Sequence, residues 1–143
     1  ETYQIYDPMQ LIEYLQLPHR WRWGFCDCTT FPGEWVIAAT GKDPVGEIRG
    51  TYDTAEEANA IVDAAGDVET FVGSRLEPLG FLRTVELQDG DIGIVNAPVG
   101  FEAGAILIRA IPGIRFGPLW AVMSVRGPMV KKLDFTGAAW RIL

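Results

Sequence analysis

A change of texture near Leu82 constrains the fold of this chain more than any other feature. Before it, apolar residues recur at helical spacing between clear start and stop signals; after it, short β-branched and aromatic runs alternate, broken by glycine and proline. Helices first and strands second is the α+β pattern, in which N-terminal helices pack on one face of a C-terminal antiparallel sheet. Five or six strands are expected, over residues 82–87, 91–96, 105–110, 119–125, 129–133 and 139–142. Among the helices, the first has Asp7 as N-cap candidate and Pro8 at its first position, and ends before Pro18. A second should start near Asp27, run through Phe31, Trp35, Val36 and Ala39, and stop at Gly41. Thr54 and Glu57 form a capping box for a helix over 55–65, and residues 67–73 add one more short helix. No repeat, low-complexity tract or linker interrupts the chain, so residues 1–143 read as one domain.

Composition narrows the function classes. Hydrophobic residues at 48% and charged residues at 22% match an ordinary globular core and surface. A formal charge of −7, with 12 basic against 19 acidic residues, excludes a protein built to grip phosphate backbones, so nucleic acid is not an expected partner. No run approaches the roughly 20 apolar residues that a membrane helix needs, and residues 1–10 lack a basic region followed by an apolar run. Cys26 and Cys28 are too close for an easy disulfide and supply only half of a structural zinc site, so free thiols in a reducing cytoplasm, no metal and no cofactor are expected. Arg109, Arg115, Arg126, Lys131 and Lys132 form the one basic concentration, set against an acidic first half. It reads as a solvated strand face or as a partner surface.

The segment Trp23-Gly24-Phe25-Cys26-Asp27-Cys28-Thr29-Thr30-Phe31 carries the most chemical information. A helix N-terminus offers unpaired amides and a partial positive charge that favour thiolate over thiol, so a cysteine there is easier to ionise and to attack with. Cys28 is thus a candidate nucleophile. Its other reading is a small buried hydrophobe, because free cysteine is among the most buried residue types. Asp27 reads as a cap accepting from amides two or three residues on. Trp23 and Trp120, like Trp21, Trp35 and Trp140, are either core anchors or indoles lining a sugar or peptide groove.

This segment resembles the nucleophile motif of the NlpC-type, papain-like cysteine peptidases, in which an aromatic-glycine pair leads into Asp-Cys at the start of a buried helix. Leu87-Gln88-Asp89-Gly90-Asp91-Ile92-Gly93-Ile94-Val95 is similar to the family's Gly-Asp turn into its first core strand. Arg49-Gly50-Thr51-Tyr52 and Ala138-Ala139-Trp140-Arg141-Ile142 look like the small relatives of phage and gene-transfer-agent tail clusters. The resemblance spans most of the chain in order. It implies a papain-like NlpC-type fold, Cys28 as nucleophile, and a histidine base on a strand after the Gly-Asp turn. The corresponding stretch, Gly100-Phe101-Glu102-Ala103-Gly104-Ala105-Ile106, holds no histidine. Two stand-ins remain. His19 precedes Cys28 by nine residues and must fold back to reach it; Glu102 brings a carboxylate, whose charge disfavours the thiolate it is meant to assist. Their plainer readings are a surface-loop histidine and a solvated edge-strand glutamate.

Without a base, an ordinary thiol is only a few per cent ionised at neutral pH and no donor protonates the leaving amine. The resemblance therefore implies a structural or binding module of a phage or gene-transfer-agent tail tip, made in the host cytoplasm and located in the virion. Its expected partners are other tail or virion proteins, with peptidoglycan as a further ligand. The alternative is an active cysteine peptidase or amidase that cleaves peptidoglycan stem peptides. The acidic charge leaves open a third class, an immunity or inhibitor protein.

Overall fold

The computed structural model describes residues 8–143, so the expected cap at Asp7 lies outside the described residues. The described chain forms four α-helices, α1 (Leu11–Leu15), α2 (Thr30–Thr40), α3 (Ala55–Ala64) and α4 (Val68–Leu76). Five strands follow: β1 (Ile92–Glu102), β2 (Ala105–Phe116), β3 (Leu119–Ser124), β4 (Gly127–Lys131) and β5 (Asp134–Trp140). All pairings are antiparallel and the sheet order is β4-β3-β2-β1-β5. The α+β organisation expected from the sequence is the one observed. Among the described residues, no helix is long and apolar enough to cross a membrane.

Local chemistry sets most helix ends. Gly41 closes α2 in the left-handed region at φ 79°, where its amide reaches Ile37 O. Thr54 accepts from Glu57 N to start α3, and Asp67 accepts from Thr70 N to start α4. The first helix differs from expectation. It begins at Leu11 rather than at Pro8, because Met9 N donates to Ala38 O and holds the preceding segment extended against α2; Glu13 caps it by accepting from Gln10 N.

A second difference concerns residues 82–87, which do not form a strand. Only Arg83 makes a bridge, to Trp140, and Thr84 Oγ1 accepts from Glu86 N in a local turn that ends the pairing and leaves Val85 in solvent. Conversely, β1 and β2 run well past their expected ends. Pro112 is tolerated inside β2 because β3 pairs with that strand only over Ile114–Phe116, so no neighbour asks for the missing amide hydrogen.

Both faces of the sheet are buried near its centre. Ile92, Ile94, Ile114 and Met123 face the helices and pack with Phe31 and Trp35 of α2, both wholly buried. On the opposite face Val95, Ala97, Ile111, Trp120 and Val122 form a second cluster, covered by Leu87, Met129, Leu133 and Phe135. The Gly-Asp turn and the C-terminal Trp-Arg pair join these layers. Gly90, at φ 90°, offers its carbonyl to Trp35 Nε1 at 2.9 Å, and the wholly buried Asp91 receives Arg141 Nε at 3.0 Å and Gln88 N at 2.8 Å. Trp140 Nε1 donates to Glu77 at 2.9 Å. Sequence motifs 50 residues apart, at Asp91 and Arg141, therefore meet at one end of β1.

Candidate functional site

The turn that carries Cys28 is organised by one carboxylate. Asp27 is 1% exposed, and its two oxygens accept five hydrogen bonds: from Gly24 N, Thr29 N, Thr30 N, Thr30 Oγ1 and Tyr52 Oη. Thr30 Oγ1 in turn accepts from Asp27 N at 2.8 Å. The bonds to Thr29 and Thr30 are those expected of a cap two and three residues upstream. Gly24 is required by its surroundings: at φ 81°, a Cβ there would stand 2.6 Å from Tyr52 O, while its own carbonyl accepts from Gly50 N.

Cys28 is half-buried and packs against the sheet cluster formed by Val95, Ala97, Ile111, Trp120 and Val122. Its thiol is pushed from the ordinary 9.0 up to about 11, first by burial and then by the negative charge of Asp27; Thr29, its own backbone and the charge of Arg109 act more weakly in the other direction. This reverses the easier ionisation expected of a helix-start cysteine. The first reason is burial against the sheet; in addition α2 begins only at Thr30, and the amides of Thr29 and Thr30 bond to the Asp27 carboxylate. Cys26 packs on the helix-side cluster instead, and burial raises its thiol as well. The two cysteines thus belong to different apolar clusters, and both are free thiols.

Neither stand-in base is brought to the thiol. His19, the one histidine in the sequence, donates Nε2–H to Tyr14 O at 2.6 Å, with its ring 4.7 Å from that of Tyr14 and 4.9 Å from that of Phe31. It is half-buried against the aromatic core rather than free in a surface loop. Glu102 stands at the exposed end of β1, paired with Ala105 across the hairpin. Trp120 is wholly buried, lies over Gly93, and stacks on Phe135 at 5.3 Å, so it is a core anchor and not a groove indole. It belongs to the same cluster that Cys28 packs against.

Trp23 alone among the binding candidates borders open space. It stands edge-on to Trp21 at 4.9 Å and lines a groove of about 650 Å³ together with Arg22, Phe25, Tyr52, Asp53 and Glu57. The Arg22 guanidinium lies 4.2 Å over the Phe25 ring. Asp27 is the support beneath: its bond to Tyr52 Oη, 2.6 Å long, anchors the buried Tyr52 at the edge of the groove. Burial and this bond push the Tyr52 phenol far above its ordinary value. In the sequence Tyr52 stands only within the tetrapeptide 49–52, with nothing beside it that marks a partner. A phenol 25 residues from the carboxylate it serves leaves no local signal.

A family model described as "Domain of unknown function (DUF6950)" matches residues 9–142. No curated protein and no solved structure matches the chain.

Proposed function

From the premise that the chain belongs to the DUF6950 family, we propose that it is a non-hydrolytic member of the NlpC-type, papain-like architecture, used as a structural or binding module of a phage or gene-transfer-agent tail tip. One observation carries the loss of catalysis: the Cys28 thiol is held protonated, at about 11, by burial and by its own neighbour Asp27, and packs against an apolar cluster that includes a tryptophan. A nucleophile requires the opposite environment, an electropositive one with a base in hydrogen-bond reach. The buried Asp27 network then serves to hold the Trp23–Tyr52 groove in shape. The tail assignment rests on the tetrapeptide at 49–52 and the closing segment at 138–142, both similar to tail-cluster relatives.

Alkylation by iodoacetamide across pH 6 to 11 tests the catalytic part. The Cys28 rate should climb through the alkaline range with no plateau near neutrality, and peptidoglycan stem peptides should stay intact. Fast alkylation near pH 6, or a peptide cleavage that Cys28→Ala abolishes, would favour the working peptidase or amidase instead. Mass spectrometry of purified particles from a producing strain tests the location, and absence of the chain from tails overturns that assignment.

A further inference from the structure

Over residues 105–113, β2 has β1 on one side and an open edge on the other. Among the described residues, β3 pairs with β2 only over Ile114–Phe116, so no strand lies against that edge before Ile114. Hydrogen bonds at the base of β2 fix which backbone groups face outward. Arg115 donates its amide to Asp91 O and accepts from Gly90 N, both on the β1 side. Successive residues of an antiparallel strand turn their amide and carbonyl to opposite sides, so Leu107, Arg109, Ile111 and Gly113 face β1, whereas Ile106, Ile108, Ala110 and Pro112 face the open edge. Pro112 agrees with this phase, since its missing amide hydrogen falls where no neighbour requires it. The outward residues also share one face of the sheet, with Ile106 59% exposed, Ile108 55% exposed and Ala110 exposed beside them. Folded proteins ordinarily blunt such an edge with a lysine, a bulge or a central proline. Here the bulge lies on β1, between Pro98 and Gly100, and the proline stands at the far end of the open stretch.

We propose that this edge pairs with the same edge of a second copy, antiparallel about a twofold axis at Ile108. The register follows by elimination. An axis at Ile108 sets Ile108 against itself and Ile106 against Ala110 in both directions, so every outward amide before Pro112 finds a carbonyl, with about six hydrogen bonds in all. Moving the axis to Leu107 leaves Ala110 opposite Gly104 in the turn. Moving it to Arg109 sets that guanidinium directly against its own copy and calls on Pro112, which has no hydrogen to give. In the chosen register the large Ile106 meets the small Ala110, and Arg109, the one charge between residues 105 and 113, meets Leu107. Residues 92–143 carry six basic and two acidic side chains in a chain of net charge −7, so contact through this half keeps the acidic halves of two copies apart. Main-chain hydrogen bonds supply the affinity in strand addition, and the side chains set the register. Because the same surface serves both copies, the contact is isologous and closes at a dimer. This inference is independent of any catalytic role of Cys28 and of where the protein resides.

Sedimentation of the full chain over a range of concentrations tests it. The average mass should rise to that of a dimer and stop there, and added salt should not weaken the contact, because no ion pair crosses it. Ile108→Pro removes an amide hydrogen from the open edge and, like Pro112, none from the pairing with β1. With the circular dichroism spectrum unchanged, it should weaken association about 30-fold. Ile108→Lys sets like charges across the axis and should weaken it about 100-fold. Oxidative crosslinking reads the register, because Leu107 and Arg109 of the second copy form a non-hydrogen-bonded pair with Cα atoms about 4.5 Å apart, within disulfide reach. An equimolar mixture of Leu107→Cys and Arg109→Cys chains should give a disulfide-linked dimer, neither variant alone should, and the wild type is the control for Cys26 and Cys28. A monomer at every concentration overturns the proposal, and its binding to phosphatidylglycerol vesicles would mean that lipid covers Ile106 and Ile108 instead. Assembly beyond a dimer, a dimer indifferent to Ile108→Pro, or crosslinking of either cysteine variant by itself equally overturns it, since each places the contact on another surface or in another register.

Discussion

Replacing Asp27 with alanine removes the acceptor from three backbone amides, those of Gly24, Thr29 and Thr30, and from the hydroxyls of Thr30 and Tyr52. The hydroxyls can rotate toward other acceptors, but the amides cannot. The Gly24 and Thr30 bonds are buried and the Thr29 bond is partly buried. A buried donor left without an acceptor costs about 1–3 kcal/mol. With allowance for water reaching Thr29, the variant should lose about 4 kcal/mol, a large part of the roughly 5–15 kcal/mol that holds a domain of this size together. Asp27→Asn is the control. Its Oδ1 still serves Thr29 and Thr30, while its amide group faces Gly24 N–H and leaves that one donor without an acceptor, so the loss should be only about 1–3 kcal/mol. Urea unfolding followed by circular dichroism measures both. The asparagine variant carries a second readout: with the charge of Asp27 gone, the Cys28 thiol should titrate lower and alkylate faster at a given pH, because that charge is one of the two causes that raise it. If alanine costs less than about 1 kcal/mol, or if asparagine is as damaging as alanine, Asp27 is not the centre of the turn.

The packing of α2 and of Cys28 sets two further outcomes. Gly33→Ala in α2 should destabilise by about 1–3 kcal/mol although alanine is the better helix former, because its Cβ would overlap the buried, β-branched Val45; a melting temperature equal to or above that of the wild type contradicts this. The thiol of Cys28 is raised in the folded state, so its contribution is fully present below the ordinary value of 9.0 and is lost as pH rises toward about 11. The stability of the wild type relative to Cys28→Ser should therefore be flat up to pH 9 and fall by about 2 kcal/mol between pH 9 and 11, and a flat difference throughout would show a thiol ionising as readily folded as unfolded.

The features legible in the sequence are those decided within a few residues. Gly41 ends α2, Thr54 and Asp67 start α3 and α4, and Asp27 binds the amides of residues 29 and 30, because each depends on a side chain or a φ angle acting on backbone close by. The α+β order was legible for a related reason, since the period of apolar residues reports which face of each element is buried. What tertiary structure alone decided depends on distant groups competing for the same space or the same proton. Residues 82–87 alternate like a strand but find pairing only at Arg83 with Trp140, and Pro8 could have opened a helix had Met9 not bonded to Ala38. The ionisation of Cys28 could not be read from its place before a helix, because a helix start favours a thiolate only while its amides are free. Here the adjacent carboxylate had already claimed them, and the sheet supplied an apolar wall on the other side.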